Sequence, residues 1–178
     1  MRRLVALACT ALFVAGCASI PLLSGELRVT ADELSQKMAR RFPLEKSVAG
    51  LLEVTLSHPT IELDATENRL ATRFDLSVKL ALGKKTVAGS LKISGRPEYF
   101  AESRSLFLRD ARVDQIRMEN MPDALSAALA KAASSIARDV MEDKALYTFR
   151  PEDLTRYGLR YEPDRIEVRA DALVLKVK

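Results

Sequence analysis

The chain has 178 residues, with 28 Lys and Arg against 24 Asp and Glu, one histidine, two cysteines and no tryptophan. A hydrophobic share of 48% excludes a disordered chain and suffices for one packed core. Acids and bases are interspersed without a long run of one sign, so the net charge of +4 does not mark a nucleic-acid partner.

The first sixteen residues read as a signal peptide. Arg2 and Arg3 are followed by an uncharged apolar run from Leu4 to Val14. That run is shorter than the roughly 20 residues needed to span a bilayer, but it fits a signal h-region. Val14-Ala15-Gly16-Cys17 then matches a lipobox: an aliphatic residue, two small ones, and the cysteine whose thiolate accepts diacylglycerol. Cys17 is thus the expected lipidation site and membrane anchor, since each buried CH₂ of an acyl chain contributes about 0.8 kcal/mol. Cys9 leaves with the leader, so the mature chain keeps no free thiol for a disulfide, a metal or nucleophilic catalysis. Residues 17–29 are expected to be a lipidated tether, and residues 30–178 a single domain.

Thr30-Ala31-Asp32-Glu33 is a capping-box sequence opening a short N-terminal helix. Leu34, Met38 and Phe42 form its apolar stripe, and Pro43 ends it. Leu52, Val54, Leu56, Ile61 and Leu63 then alternate with polar residues, with a bend or bulge at His58-Pro59 and turn chemistry at 64–68. The strongest alternation places Leu70, Thr72, Phe74, Leu76, Val78, Leu80 and Leu82 on one face of a long half-buried antiparallel strand. A turn at Gly83-Lys84-Lys85 leads into Val87, Gly89, Leu91 and Ile93; the glycines at 89 and 95 suit a sharp bend. Residues 96–101 read as a loop or an edge. A further long strand changes apolar parity between Leu108 and Val113, which signals a β-bulge. Pro122 and Asp123 open a longer helix, expected to run to about Asp143, whose core face is rich in alanine and serine. A hairpin turning near Ala170-Asp171 closes the chain.

This order predicts an α+β domain: a long curled antiparallel β-sheet wrapped around the helix of the C-terminal half, plus the short N-terminal helix. The residues offer little for catalysis. His58 is the sole histidine, with no cysteine to partner it, and no Gly-x-Ser-x-Gly elbow or phosphate-cradling glycine loop occurs. His58, Glu62 and Asp64 share strand parity, but Pro59 interrupts them, so no metal site is assigned. Asp110 and Asp114 read as exposed acids beside Arg109 and Arg112. The inward rows Phe74, Leu76, Val78, Leu80, Leu91 and Ile93, with Leu125, Leu129 and Ile136, either pack solid or line a groove. Met118 and Met121 are the candidates for its mouth, because methionine adapts to irregular ligands.

The lipobox, the capped helix ending in Phe42-Pro43, the even meander, the Ala-rich helix from Met121-Pro122 and the C-terminal β segment together resemble the YceB-like bacterial lipoproteins. That family is similar in fold to the tubular lipid-binding (TULIP) proteins, in which a curled sheet wraps a long helix. The resemblance implies a periplasm-facing lipoprotein with an apolar ligand and no catalytic residues to carry over. Ala18 after the lipidated cysteine implies sorting to the outer membrane, as in Gram-negative lipoproteins. The expectation is therefore a non-enzymatic outer-membrane lipoprotein without cofactor. It binds a lipid or other hydrophobic molecule in a groove between sheet and helix. The alternative is an accessory or scaffold lipoprotein with a solid core, acting on another envelope component.

Overall fold

A computed structural model describes residues 26–48, 50–80, 86–120, 122–156, 159–160 and 162–177. The leader, the lipobox and the turn at 83–85 lie outside them. The chain enters as strand β1 (Glu26–Thr30) and turns directly into helix α1 (Ala31–Ala39). Both halves of the capping box form. The Glu33 amide donates to Thr30 Oγ1 at 3.2 Å, and the Thr30 amide donates to Glu33 Oε2 at 3.0 Å. Two amides that the first helical turn leaves without intrahelical partners are thereby satisfied. Leu34 and Met38 are buried as expected.

Five long or medium strands and one short one make a six-stranded antiparallel sheet. They are β2 (Leu44–Val48), β3 (Leu52–Asp64), β4 (Arg69–Leu80), β5 (Thr86–Phe100), β6 (Ser105–Met118) and β7 (Tyr147–Thr148), adjacent in that order. Helix α2 (Asp123–Met141) lies between β6 and β7 in the chain. A 3-10 turn at Pro151–Leu154 and two short strands, β8 (Thr155–Arg156) and β9 (Leu159–Arg160), lead to the hairpin of β10 (Pro163–Val168) and β11 (Ala172–Val177). That hairpin forms a separate three-stranded sheet in the order β1-β11-β10.

The pairing of β1 with β11 corrects the expected tether. Residues 26–29 belong to the domain, with Glu26 opposite Lys176 and Val29 buried opposite Leu173. The alternation of Leu27 and Val29 with Glu26 and Arg28 carries too few apolar positions to distinguish a strand by period. Helix α2 also stops at Met141, two residues before Asp143. Residues 96–100 continue β5 rather than looping. Strand β4 ends opposite Gly95, so beyond that point β5 pairs within this sheet only with β6 and is an edge. Pro97, which has no N–H to donate, is tolerated there for that reason.

The sheet is curled. Helix α2 packs against β6 and also reaches β2, although β3, β4 and β5 separate those two strands. The Ala111 amide of β6 donates to Glu142 Oε1 just past the helix, at 2.7 Å, and Lys46 of β2 pairs with Asp139 of α2 at 3.2 Å. The expected filler of the concave side was α2 alone. Helix α1 shares it: it packs on β3, Ser35 Oγ accepts from the Ile61 amide at 2.9 Å, and the Phe42 ring lies 5.1 Å from that of Phe74.

Local irregularities produce the curl. The β3–β4 register shifts between Ser57 and Thr60, where His58 has φ 47°, matching the expected bulge at His58-Pro59. The β5–β6 register shifts twice, around Ile93 and between Ser94 and Arg96. The second shift faces Asp110 (φ 51°), inside the interval where apolar parity changes in the sequence. Gly89 is the closest approach. A Cβ there would run into the Arg117 carbonyl oxygen and Met118 Sδ, well inside van der Waals contact.

Cross-strand ion pairs cover the outer face, among them Arg73–Glu62, Lys92–Glu62, Lys79–Glu53 and Arg112–Glu67. The hydrogen bond from Lys92, helped by Arg73, holds the Glu62 carboxyl below its ordinary value.

Two outcomes are expected. Gly89→Ala must displace a backbone carbonyl, so it lowers unfolding free energy by about 1–3 kcal/mol, read from the urea midpoint. Because the Glu62 pKa is depressed on folding, its stabilisation is present above the unfolded carboxyl range near about pH 4.3 and is lost as pH falls through the lower folded value. Glu62→Gln therefore flattens the acid limb of a stability-versus-pH profile.

Candidate hydrophobic ligand site

The concave face is built in rows by strand register. One row runs Leu44, Leu56, Leu76, Gly89, Met118; the next holds Phe74, Leu91 and Ile116; a third runs Ile61, Thr72, Ile93, Val113. Period-two alternation, reset by the register shifts between Leu56 and Ile61 and between Val113 and Ile116, puts these positions on one side of every strand. Opposite them, α2 presents Leu129, Ala133, Ile136, Ala137 and Val140, all buried at helical spacing. Alanines on this face allow the helix to sit close to the sheet.

Of the residues singled out in the sequence, Phe74, Leu76, Val78, Leu91, Ile93, Leu129 and Ile136 join one hydrophobic cluster, none more than 5% exposed. Met118 is half-buried at the edge of that cluster, with Val113 and Ile116 beside it on β6 and Ala132 on α2. The side chains of Leu80 and Leu125, and the whole of Met121, lie outside the described residues. So does Cys17.

Two features break the uniform apolar lining. Gly89 leaves its row without a side chain, and the Arg117 carbonyl oxygen and the Met118 thioether occupy that space. Thr72 is fully buried, and its hydroxyl has no hydrogen-bond partner among the described residues. An unpaired buried hydroxyl costs about 1–3 kcal/mol. A ligand oxygen placed against it would recover that loss. Sequence reasoning set Thr72 on the inward face but gave it no role; the available signal was a lone hydroxyl between Leu70 and Phe74 in an otherwise apolar row.

The polar candidates are dispersed. His58 sits exposed on its bulge and contacts Asp75 Oδ2 through Nδ1 at 3.0 Å. Glu62 is held by Lys92 and Arg73, while Asp64 accepts the Thr66 and Glu67 amides of the following turn, each at 3.0 Å. Asp110 pairs with Arg96, and Asp114 accepts from Arg112 and from Ser94. Among the described residues no group of three metal-ligating side chains comes together. A polar recess of about 280 Å³ on the outer face is floored by Arg69 and Ser94, and Arg69 is buried there with three hydrogen bonds satisfied internally. The concave side is apolar and closed, with its rows removed from water beneath the two helices.

Thr72→Val removes the unpaired hydroxyl while keeping the shape, and is expected to raise unfolding free energy by about 1 kcal/mol in the ligand-free protein, measured by urea titration.

A family model described as "Protein of unknown function (DUF1439)" matches residues 29–172. A comparison with curated proteins finds no match. Among solved structures, the chain is similar to one described as "Crystal structure of lipopolysaccharide binding protein", at TM-score 0.39 and 14% identity, over 85% of this chain and 40% of that one. This chain thus spans well under half the length of that protein.

Proposed function

The chain belongs to the DUF1439 family, and from its concave face we propose that it is a lipid-anchored envelope protein that holds a hydrophobic ligand between the curled sheet and α2. In this reading Cys17 carries the acyl chains, the domain faces the periplasm from the outer membrane, and no bond is made or broken in the ligand. One observation carries the reading: the space beside Gly89, bounded on one side by the Arg117 carbonyl oxygen, is otherwise filled by the flexible side chain of half-buried Met118. A thioether chain with three rotatable bonds can swing aside at low cost and leave an apolar slot for a hydrocarbon tail. The Thr72 hydroxyl, two rows along, supplies a hydrogen bond for a polar group on the same ligand.

A second reading is favoured by a different observation. Phe74, Val78 and Ile93 have no exposed surface, as in a close-packed core. An accessory lipoprotein that acts through its outer face on another envelope component would look the same there.

Native mass spectrometry of the full chain, extracted from cells in a mild detergent, separates the two. Ligand carriage predicts a co-purifying lipid on the wild-type protein and its loss in Met118→Trp, whose bulk fills the slot at a half-buried position. A bare protein mass, with no uptake of a fluorescent fatty acid, favours the accessory reading. The same spectra report acylation of Cys17, which Cys17→Ala abolishes.

A further inference from the structure

Positive charge is distributed unevenly on this surface. Most cations of the sheets are matched: Arg28, Lys46, Arg73, Lys79, Lys92, Arg96, Arg112, Arg169 and Lys176 each pair with a carboxylate. Lys37, Arg40 and Arg41 at the end of α1, and Lys144 after α2, are not matched in this way. These four line one open recess of about 520 Å³, together with Ala145, Leu146, Tyr147 and Thr148. Among the described residues no carboxylate lines it. The acids Glu33, Glu152 and Asp153 line a different recess, which also touches Tyr147.

The recess is held in shape by groups that bring no anion of their own, although, behind the Arg150 hydrogen bond, Lys37 is near enough to Asp153 for its charge to help hold that carboxyl below its ordinary value. Arg41 Nη2 donates to the Leu146 carbonyl oxygen at 3.1 Å, which fixes the guanidinium against the strand edge at β7. Lys37 Nζ stands 4.5 Å from the centre of the Tyr147 ring. Both contacts orient a cation without supplying an anion. Partial burial of Arg41 removes some of its water, and a charged partner then gains more from meeting it.

We propose that this recess binds a phosphate-class anion, with Lys37, Arg40, Arg41 and Lys144 as its ligands. Guanidinium and ammonium donors converging from two chain segments fit the tetrahedral oxygens of a phosphate monoester, with the planar arginines binding in bidentate fashion. None of the groove residues lines the recess, so the proposal stands or falls apart from hydrophobic carriage. The same chemistry has two sources, a phospholipid headgroup and free phosphate.

The test is calorimetric titration of the full chain in dodecyl maltoside at low salt, using inorganic phosphate, dihexanoyl phosphatidic acid and dihexanoyl phosphatidylcholine. Saturable binding of inorganic phosphate or of phosphatidic acid is expected, weakening as sodium chloride is raised. A variant with Arg40→Gln and Lys144→Gln changes two cations whose side chains make no hydrogen bond, ion pair or ring contact among the described residues. It should lose about tenfold or more in affinity with its melting temperature unchanged. Phosphatidic acid binding about tenfold tighter than phosphate assigns the site to a headgroup; equal affinities assign it to the free anion. The proposal is overturned if neither phosphate nor phosphatidic acid binds saturably, if the double variant binds as tightly as wild type, or if phosphatidylcholine binds equally well.

Discussion

The contact between β5 and β6 at Gly89 governs the shape of the whole domain. Two strands of a flat sheet hold their backbones at a fixed spacing with a Cβ at every position; here one Cβ is missing, and the carbonyl of Arg117 and the sulfur of Met118 occupy its place. Together with the two register shifts farther along the same pair, this lets β6 turn away from the plane of β4 and β5. Strands β2 and β6 then come within reach of one helix, and a continuous apolar surface is removed from water. Without the curl, α2 could cover only part of the inward rows.

The two faces of the sheet follow different physics. The inner one is apolar, and its stabilisation scales with buried area. The outer one is a lattice of exposed ion pairs, each contributing little in water and less in salt. Those pairs serve register and solubility more than stability, since opposite charges sit across from one another on adjacent strands. The cations at the end of α1 stand outside that lattice, where α1 meets the β7 edge.

Much of this architecture was legible from residue order. The capping box at Thr30, the parity of Leu70 through Val78, the bulge at His58-Pro59 and the parity change before Val113 each rest on neighbours close in sequence, and each appears where its pattern placed it. What escaped depends on distant partners. Strand β1 has only Leu27 and Val29 to declare itself, and its identity comes from β11 at the other end of the chain. Strand β7 is two residues long and exists because β6 offers an edge. Phe74, Leu76, Val78, Leu91, Ile93, Leu129 and Ile136 share one buried cluster, but periodicity contains no information on whether that interior is full. The recess at α1 was invisible because Lys144 lies over a hundred residues from Lys37.

The antiparallel match of Glu26–Thr30 with Ala172–Lys176 also governs the timing of assembly. During synthesis the six-stranded meander can form by successive neighbour pairing as each hairpin emerges. The smaller sheet cannot, because its centre, β11, is made after all the other described strands. Until then Val29 and the entry to α1 have no backing, and a long-range loop closure remains outstanding. A chain stalled or clipped ahead of residue 172 would retain most of its hydrogen-bonded ladder yet leave its leading strand unzipped, offering a ready foothold to quality-control proteases.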